Sequence, residues 1–232
     1  NLITLYHLIF IVKIKNNMAI CIIGNSLSAL TLAKALVKQN IAVDVMFDKK
    51  NSHIHKTRTI GISKSNSDYL KKDIINIDKL LWKLKKIEVF SDNLMKQKLI
   101  DFKKSHEHIF SIVKNYEFYQ ILEHHLSKNK YFKLKYFSDK NLSFIDNYDL
   151  VVNCDPSNAI TKKYFSKKLV KNYNSNAYTT IISHEKIVND TAVQIFTNNG
   201  PLAFLPISDF KTSIVYSCLL YTSDAADEED SV

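Results

Sequence analysis

The first residues that could do chemistry form a short segment after an apolar run near the start of the chain. Residues 19–23 read AICII, and the six that follow, Gly24 to Ala29, read GNSLSA. In a dinucleotide-binding turn, glycines at the first, third and sixth positions allow a tight bend, close approach of a pyrophosphate and close packing of the next helix. Here Ser26 occupies the third position and Ala29 the sixth. The spacing predicts a diphosphate site formed by Gly24, Asn25, Ser26, Leu27 and Ala29. A purely structural strand–turn–helix is the alternative.

An acidic residue follows the next predicted strand. Residues 41–47 read IAVDVMF, and Asp48 comes directly after them, twenty-four residues beyond Gly24. In dinucleotide-binding folds an acid at this place accepts hydrogen bonds from ribose hydroxyls. The hydroxyl of Ser26 is small and could itself donate to a phosphate. We therefore expect Asp48 and the glycine turn to hold the ribose and the phosphates of one ligand.

The pattern of apolar residues predicts the elements that position this turn. Residues 19–23 are typical of a parallel strand buried on both faces. Small and apolar residues recur at helical spacing over 27–36, and 41–47 is a second strand, which together make a parallel βαβ unit. Further elements are expected in the middle of the chain: strands at 86–90, 107–113, 131–137 and 148–154, and a helix over 116–127.

The last third of the chain has a different pattern. The segments AYTTIIS, AVQIFT and TSIVY read as strands, with the turn NNGP at 198–201 between the last two. Asn-Gly and Gly-Pro steps are typical of turns between antiparallel strands. The sequence therefore predicts an α/β fold, in which a Rossmann-like parallel sheet is interleaved with an antiparallel sheet.

The composition excludes several function classes. The chain has 232 residues, 46% of them hydrophobic, and a formal charge of +9. Its basic residues are scattered lysines, with Arg58 the only arginine, which indicates a solvated surface and not a nucleic-acid interface. Three cysteines without a CxxC pair favour a reduced, cytoplasmic compartment. Cysteine and histidine do not gather at ligand spacing, so we expect no metal site.

Both ends look foreign to the fold. Residues 1–17 precede the first methionine, Met18, and their apolar stretch is too short to span a bilayer. We interpret them as translated upstream sequence. Residues 218–232 change abruptly to Ala, Asp and Glu and resemble a translated sequencing adapter, so we expect them to lie outside the fold. The natural protein is then expected to begin at Met18 and to continue beyond Ser217.

Four further segments resemble those of the FAD-dependent aromatic hydroxylases. TRTIGIS around Arg58 is similar to their arginine-bearing segment, NYEFYQIL at 115–122 to their Asn-Arg-x-Leu-Gln helix, and DLVVNCDP at 149–156 to their strand ending in Asp-Gly. The segment AVQIFTNNGPLAFLPISDFKTSIVY at 192–216 resembles the Gly-Pro-Leu-Ala-x-Leu-Pro segment of the ubiquinone-biosynthesis hydroxylases, which act on polyprenylated phenols. The resemblance spans 18–217 in the right order.

This resemblance implies a domain arrangement and a reaction. An FAD-binding domain at 18–82 and 106–160 would be interleaved with a substrate domain at 83–105 and 161–217. NAD(P)H would reduce the FAD, O₂ would add at flavin C4a, and the hydroperoxide would transfer one oxygen to the phenol ring. In such chemistry the protein positions the ring and excludes water. The prenylated substrate implies that the protein attaches peripherally to a bacterial inner membrane, or that partner proteins present the lipid to it.

The resemblance also implies roles for single residues. Arg58 would face a phosphate or the flavin edge, with a surface position as the alternative. Asp155 matches the acid of the Asp-Gly motif, close to the cofactor. Gly200 and Pro201 would form a loop beside the flavin and the substrate cavity.

The sequence departs from the family pattern at several positions. Ser26 and Ala29 replace glycines, and Tyr116 stands where the family has arginine. Pro156 replaces the glycine after Asp155, which removes an N–H and fixes φ. We predict that this chain by itself does not hold FAD stably or turn over. A flavin-dependent reductase of the same superfamily and a degenerate Rossmann binding protein without catalysis are the alternatives.

Overall fold

A computed structural model describes residues 18–47, 56–92, 97–103, 108–137, 143–164, 171 and 174–219. The described α-helices and strands are, in chain order, β1 (Ile20–Ile23), α1 (Leu27–Lys38), β2 (Val43–Phe47), β3 (Thr59–Ser63), α2 (Lys64–Tyr69), β4 (Trp82–Leu84), β5 (Lys86–Ser91), β6 (Lys98–Lys103), β7 (Phe110–Lys114), α3 (Asn115–Ser127), β8 (Phe132–Tyr136), β9 (Leu150–Asn153), α4 (Ala159–Tyr164), β10 (Ser175–Ser183), β11 (Thr191–Thr197), β12 (Gly200–Ser208) and β13 (Lys211–Leu219). A π-helical segment lies at Leu70–Ile74, and 3₁₀ turns lie at Asp78–Leu80 and Ser143–Asn147.

The chain forms two compact units. The first unit comprises Asn1–His53, Asp73–Ile75 and Tyr119–Lys168, and the second comprises Ile54–Lys72, Asn76–Phe118 and Leu169–Val232. Residues 54–72, 76–82 and 106–118, assigned from the sequence to an FAD-binding domain, thus lie in the second unit. The domain boundaries expected from the sequence stay a prediction.

The first unit is built on a four-stranded parallel sheet in the order β8-β2-β1-β9. The four residues of β1 are all buried and apolar, as expected of a central parallel strand covered on both faces. Helix α1 buries one face, formed by Ala29, Leu30, Ala33, Leu36 and Val37. Their spacing of about 3.6 residues per turn is what the sequence predicted for this stretch. The predicted βαβ unit is therefore confirmed.

The second unit holds a six-stranded sheet in the order β10-β13-β12-β11-β5-β6 and a three-stranded sheet in the order β3-β7-β4. Strands β11, β12 and β13 form an antiparallel meander, and β10 pairs antiparallel with β13. Strand β5 joins the other side of β11 in parallel. The predicted combination of a parallel sheet with an antiparallel sheet is confirmed.

The segment around Gly200 differs from the expected loop. Gly200 and Pro201 begin strand β12, so the NNGP turn leads into a strand that the sequence pattern did not predict, and residues 209–210 turn into β13. Pro201 pairs with Phe196 on β11, whereas the ladder to β13 begins only at Leu202. A proline lacks a backbone donor, and the first turn-side residues of a strand tolerate this. The expectation of a loop is therefore wrong.

Strand β13 extends beyond Ser217. Cys218 pairs with Asn176 and Leu219 with Ser175 on β10. The expectation that the chain leaves the fold at Cys218 is wrong for these two residues, because backbone pairing does not depend on side-chain type. Residues 220–232 and 1–17 lie outside the described residues. No described helix is both long enough and apolar enough to cross a bilayer.

Candidate functional site

The predicted glycine turn lies where the order of the parallel strands reverses. From β1 the chain moves to β2 and then β8 on one side, while β9 joins the other side of β1. Ile23 and Asn153 are register partners at the carboxyl ends of β1 and β9, and the N–H of Cys154 donates to the carbonyl of Ile23 at 2.8 Å. In open parallel sheets, ligands bind at the carboxyl ends of the strands beside such a switch point.

Gly24 opens the turn in a conformation that side chains disfavour. Its φ is +115°, and its N–H donates to the carbonyl of Met46 at 2.7 Å. An added Cβ would lie 3.3 Å from the Cβ and the N of Asp155 and from the carbonyl carbon of Cys154. The close approach of two backbones and the positive φ both require glycine here.

Ser26 caps helix α1. Its φ and ψ are −92° and 166°, and its hydroxyl oxygen accepts a hydrogen bond from the N–H of Ala29 at 3.3 Å. Ala29 is fully buried, so it acts by close packing, and its amide is already paired. No hydrogen-bond acceptor for the N–H groups of Leu27 and Ser28 occurs within the described ranges. Such unpaired donors at the positive end of a helix bind anions.

Asn25 is held by Tyr119, a residue that the glycine spacing does not select. The hydroxyl of Tyr119, on α3, donates to the Oδ1 of Asn25 at 2.6 Å. Tyr119 is buried, and burial raises the pKa of its phenol to about 12, with the charge of Glu123 adding to this. A buried tyrosine hydroxyl usually finds a hydrogen-bond partner. The helical spacing over 116–127 placed Tyr119 on a buried face, but it could not name the partner.

Asp155 sits in a turn fixed by a polar network. The N–H and the hydroxyl of Ser157 donate to Asp155 Oδ1 at 2.9 and 2.6 Å, and the N–H of Asp155 donates to Asn153 Oδ1 at 3.1 Å. The hydroxyl of Thr161 donates to the carbonyl of Asp155 at 3.0 Å. Asn158 and Asn153 bond to each other through their side-chain amides. The residues around Pro156 therefore form their hydrogen bonds without the backbone N–H that a proline lacks.

The other predicted residues are not gathered at this turn by any described contact. Arg58 and Gly200 with Pro201 belong to the second unit. Arg58 is exposed; its carbonyl accepts from the N–H of Asn115 at 3.0 Å, and its guanidinium has no hydrogen-bond or ion-pair partner among the described residues. Asp48 lies outside the described residues. The structure therefore brings together the segment 24–29 and Asp155.

A carboxylate within the parallel sheet links three segments of the first unit. Asp44 on β2 accepts hydrogen bonds from the Nζ of Lys135 and from the hydroxyl of Tyr148, both at 2.6 Å. The bond to Asp44 raises the pKa of Lys135, and burial raises that of Tyr148 to about 12 with the Asp44 bond adding to it. These contacts tie β2 to β8 and to the chain that enters β9. They hold these three segments together.

Burial disfavours the thiolate form of the two cysteines near the switch point. Burial raises the pKa of Cys21 to about 12, and the charge of Asp44 adds to this while Lys135 opposes it. Burial also raises the pKa of Cys154. Because the thiolate is the reactive form, neither thiol is a nucleophile near neutral pH. Within the described residues, no group of three or more His, Cys, Asp or Glu side chains could hold a metal ion.

Solved structures of several monooxygenases have a similar fold. PqsL from Pseudomonas aeruginosa, solved with 2-aminobenzoylacetate, matches with a TM-score of 0.67 and 11% identity, over 88% of this chain and 61% of its own. p-Nitrophenol 4-monooxygenase PnpA from Pseudomonas putida matches with a TM-score of 0.67 and 10% identity, over 89% and 59%. A variant of HpxO from Klebsiella pneumoniae, complexed with FAD, matches with a TM-score of 0.65 and 12% identity, over 90% and 59%.

The likeness is one of fold. No protein-family model matches the sequence, and no curated protein does. The chain spans about three fifths of the length of the solved structures. The chain therefore shares the fold of these solved structures over the part that it covers.

Proposed function

We propose that the protein is an FAD-dependent monooxygenase and that the segment Gly24–Ala29 holds the diphosphate of FAD. The observation that carries this is the switch point, where Gly24 packs against the Asp155 turn and the N–H groups of Leu27 and Ser28 are unpaired among the described residues. Its position at the carboxyl ends of parallel strands is the usual place for a dinucleotide. The fold likeness to FAD-containing hydroxylases supports the same assignment.

The residues present fit a dinucleotide. The N–H groups of Leu27 and Ser28 would donate to phosphate oxygens, and so would the hydroxyl hydrogen of Ser26, whose oxygen already caps the helix. Gly24 would let the diphosphate approach the backbone. Asp48 would accept from the ribose, and Asp155 would lie near the cofactor, as the family resemblance implies.

In the proposed reaction, FAD and the protein have separate roles. When bound, FAD supplies redox chemistry with NAD(P)H as the reductant and O₂ as the oxidant, and it delivers one oxygen to an electron-rich aromatic ring. This chain would bind and orient the ring and exclude water from it. We assign Arg58, Gly200 and Pro201 to the flavin and substrate side because of the segments in which they occur. The site needs no protein nucleophile, in agreement with the raised pKa values of Cys21 and Cys154.

The substrate that we propose is a polyprenylated phenol of ubiquinone biosynthesis. The support is the segment 192–216, which resembles the ubiquinone-biosynthesis hydroxylases. A prenylated substrate would bring the protein to the cytoplasmic surface of a membrane, by peripheral attachment or through partner proteins.

Titration of the purified chain with FAD tests the binding site. We expect the chain to be colourless when purified and to bind added FAD weakly and reversibly, seen as a change in flavin fluorescence. ADP should compete, because it carries the same diphosphate and ribose. Gly24→Ala should abolish this binding, while Gln39→Ala, at an exposed position at the other end of α1, retains it. A wild-type chain that ignores both FAD and ADP would refute the proposal, and a yellow protein with stoichiometric flavin would refute the expected weakness.

The reaction is tested on the natural full-length protein. Consumption of O₂ and NAD(P)H that depends on a polyprenylated phenol, with one hydroxyl added to the product, supports the monooxygenase. Oxidation of NAD(P)H without O₂ uptake, coupled to loss of a prenyl double bond, would instead identify a reductase.

A Rossmann binding protein without catalysis is the second candidate. It is favoured by Pro156, which removes a backbone donor beside Asp155, and by the pairing of the Ala29 amide with Ser26. It predicts that the full-length protein binds no FAD at any concentration that the assay reaches.

A further inference from the structure

We infer that Tyr119 is a positioning residue for the diphosphate turn. Its hydroxyl orients the Asn25 carboxamide. The amide oxygen then faces α3, and the NH₂ group is left to donate to a diphosphate oxygen. This inference rests on the proposed function. It adds a residue that neither the glycine spacing nor the family resemblance selects.

The contact is short and enclosed. The Tyr119 hydroxyl and Asn25 Oδ1 are 2.6 Å apart, and the Tyr119 side chain is 6% exposed. The two residues are 94 positions apart in the chain, and both belong to the first unit. Tyr119 thus joins α3 to the residue between Gly24 and the helix cap Ser26.

In this bond the Tyr119 hydroxyl donates and Asn25 Oδ1 accepts. Burial keeps the phenol protonated well above neutral pH, and a neutral phenol carries one O–H to donate. A phenol oxygen also accepts hydrogen bonds, so the direction rests on the position of Asn25 Oδ1 beside the hydroxyl. The NH₂ group is attached to the same carbon and must then face another way. Among the described residues, nothing accepts a hydrogen bond from it.

The bond also protects the helix terminus. A free asparagine side chain readily bonds to nearby backbone N–H groups and competes with helix caps. Asn25 directly precedes the cap Ser26, so its amide oxygen could otherwise reach the amides that we assign to the diphosphate. Holding that oxygen on Tyr119 keeps the N–H groups of Leu27 and Ser28 available. A ligand then meets a turn that is already arranged, which lowers the entropy cost of binding.

Two variants separate positioning from simple support. Tyr119→Phe removes the hydroxyl and keeps the ring, whereas Asn25→Asp keeps an acceptor for Tyr119 and replaces the NH₂ group by a charged oxygen. Tyr148→Phe is the matched control, because it deletes a hydroxyl with a bond of the same 2.6 Å in the same unit, away from the turn. Binding of FAD, ADP and adenosine is measured by titration, and stability is measured by thermal unfolding.

We expect Tyr119→Phe to weaken ADP and FAD about two- to tenfold, which is the usual worth of one hydrogen bond, with adenosine unchanged. Asn25→Asp should weaken ADP by more than about tenfold, since a carboxylate repels the diphosphate. Tyr148→Phe should lower the unfolding temperature and leave ADP affinity within about twofold.

Other outcomes overturn the inference in distinguishable ways. If wild type binds ADP and Tyr119→Phe binds it equally well, the inference fails and the proposed function stands. The same holds if Tyr119→Phe loses adenosine as strongly as ADP, or if Tyr148→Phe weakens ADP to the same extent. If the wild-type chain binds neither FAD nor ADP, the proposed function fails and this inference falls with it.

Discussion

A methyl group on Gly24 would lie 3.3 Å from both the amide nitrogen and the Cβ of Asp155. The two residues are far apart in the chain, but Gly24 directly follows β1 and Asp155 lies two residues after the end of β9, the parallel neighbour of β1. Gly24 is thus the point where the turn after β1 packs against the turn after β9. The absence of a side chain at Gly24 is what lets the two turns meet.

Gly24→Ala should destabilise the chain. The substitution places a side chain at φ +115° and against the Asp155 backbone, and each effect alone is unfavourable. We expect a loss of about 1–3 kcal/mol in the free energy of unfolding. Denaturant unfolding measures it, with the exposed Ser28→Ala as the control. Equal midpoints for the two variants would contradict the tight fit.

Replacement of the Ser26 side chain should separate its capping role from its size. Ser26→Ala removes the oxygen that accepts from Ala29 and should cost about 1 kcal/mol, whereas Ser26→Gly should cost only a few tenths. Ser63→Ala is a matched control, because Ser63 caps α2 in the second unit through the N–H of Asn66. ADP affinity should fall about two- to tenfold in Ser26→Gly, because the hydroxyl that would donate to a phosphate oxygen is lost. A large loss of stability in that variant would argue against a capping role.

Two tyrosines should titrate unusually late. Burial raises the pKa of Tyr119 and of Tyr148 to about 12, whereas an unfolded tyrosine ionises near about 10. The unfolded chain therefore releases these protons first as the pH rises. The stability that they contribute is complete below about pH 10 and is lost between about pH 10 and 12.

Tyrosinate absorbance during an alkaline titration measures this directly. Tyr119→Phe and Tyr148→Phe should each remove one group that ionises near about pH 12, and each should leave the earlier part of the curve unchanged. If a variant instead loses tyrosinate absorbance near about pH 10, burial does not raise the pKa of that phenol.

Gly200→Ala should be more damaging than Gly24→Ala. Gly200 has φ +130°, and an added Cβ would lie 1.9 Å from the carbonyl oxygen of Ser217, so the backbone of β13 would have to move. We expect a loss of about 3 kcal/mol or more in unfolding free energy. Asn198→Ala, at an exposed position of the same turn, is the control and should stay within about 0.5 kcal/mol of wild type. A soluble Gly200→Ala protein with an unchanged unfolding midpoint would rule out this packing of β12 on β13.

The sequence predicted the local elements of the switch point well. The apolar run 19–23, the helical spacing after Gly24 and the strand at 41–47 correspond to β1, α1 and β2. Each of these signals is local: burial on both faces of a strand, the 3.6-residue period of a helix, and a small polar residue at the helix cap. The predicted strands at 86–90, 131–137 and 148–154 correspond to β5, β8 and β9 for the same reason.

Strands without a strong period were missed. Strand β6 is exposed along its whole length, and β4 has three residues, so neither carries a clear alternation. Strand β12 contains Gly200 and Pro201, which are typical of turns, and only pairing with both β11 and β13 makes it a strand.

The amino-acid sequence by itself determined a βαβ unit with a glycine turn and a capped helix, because these depend on residues within about one turn of each other. Only the tertiary structure decided that β9 lies beside β1, that Asp155 closes on Gly24 and that Tyr119 holds Asn25. These contacts join residues that are 94 or more positions apart in the chain. Such partners are chosen by the packing of whole elements, and no local period records that choice.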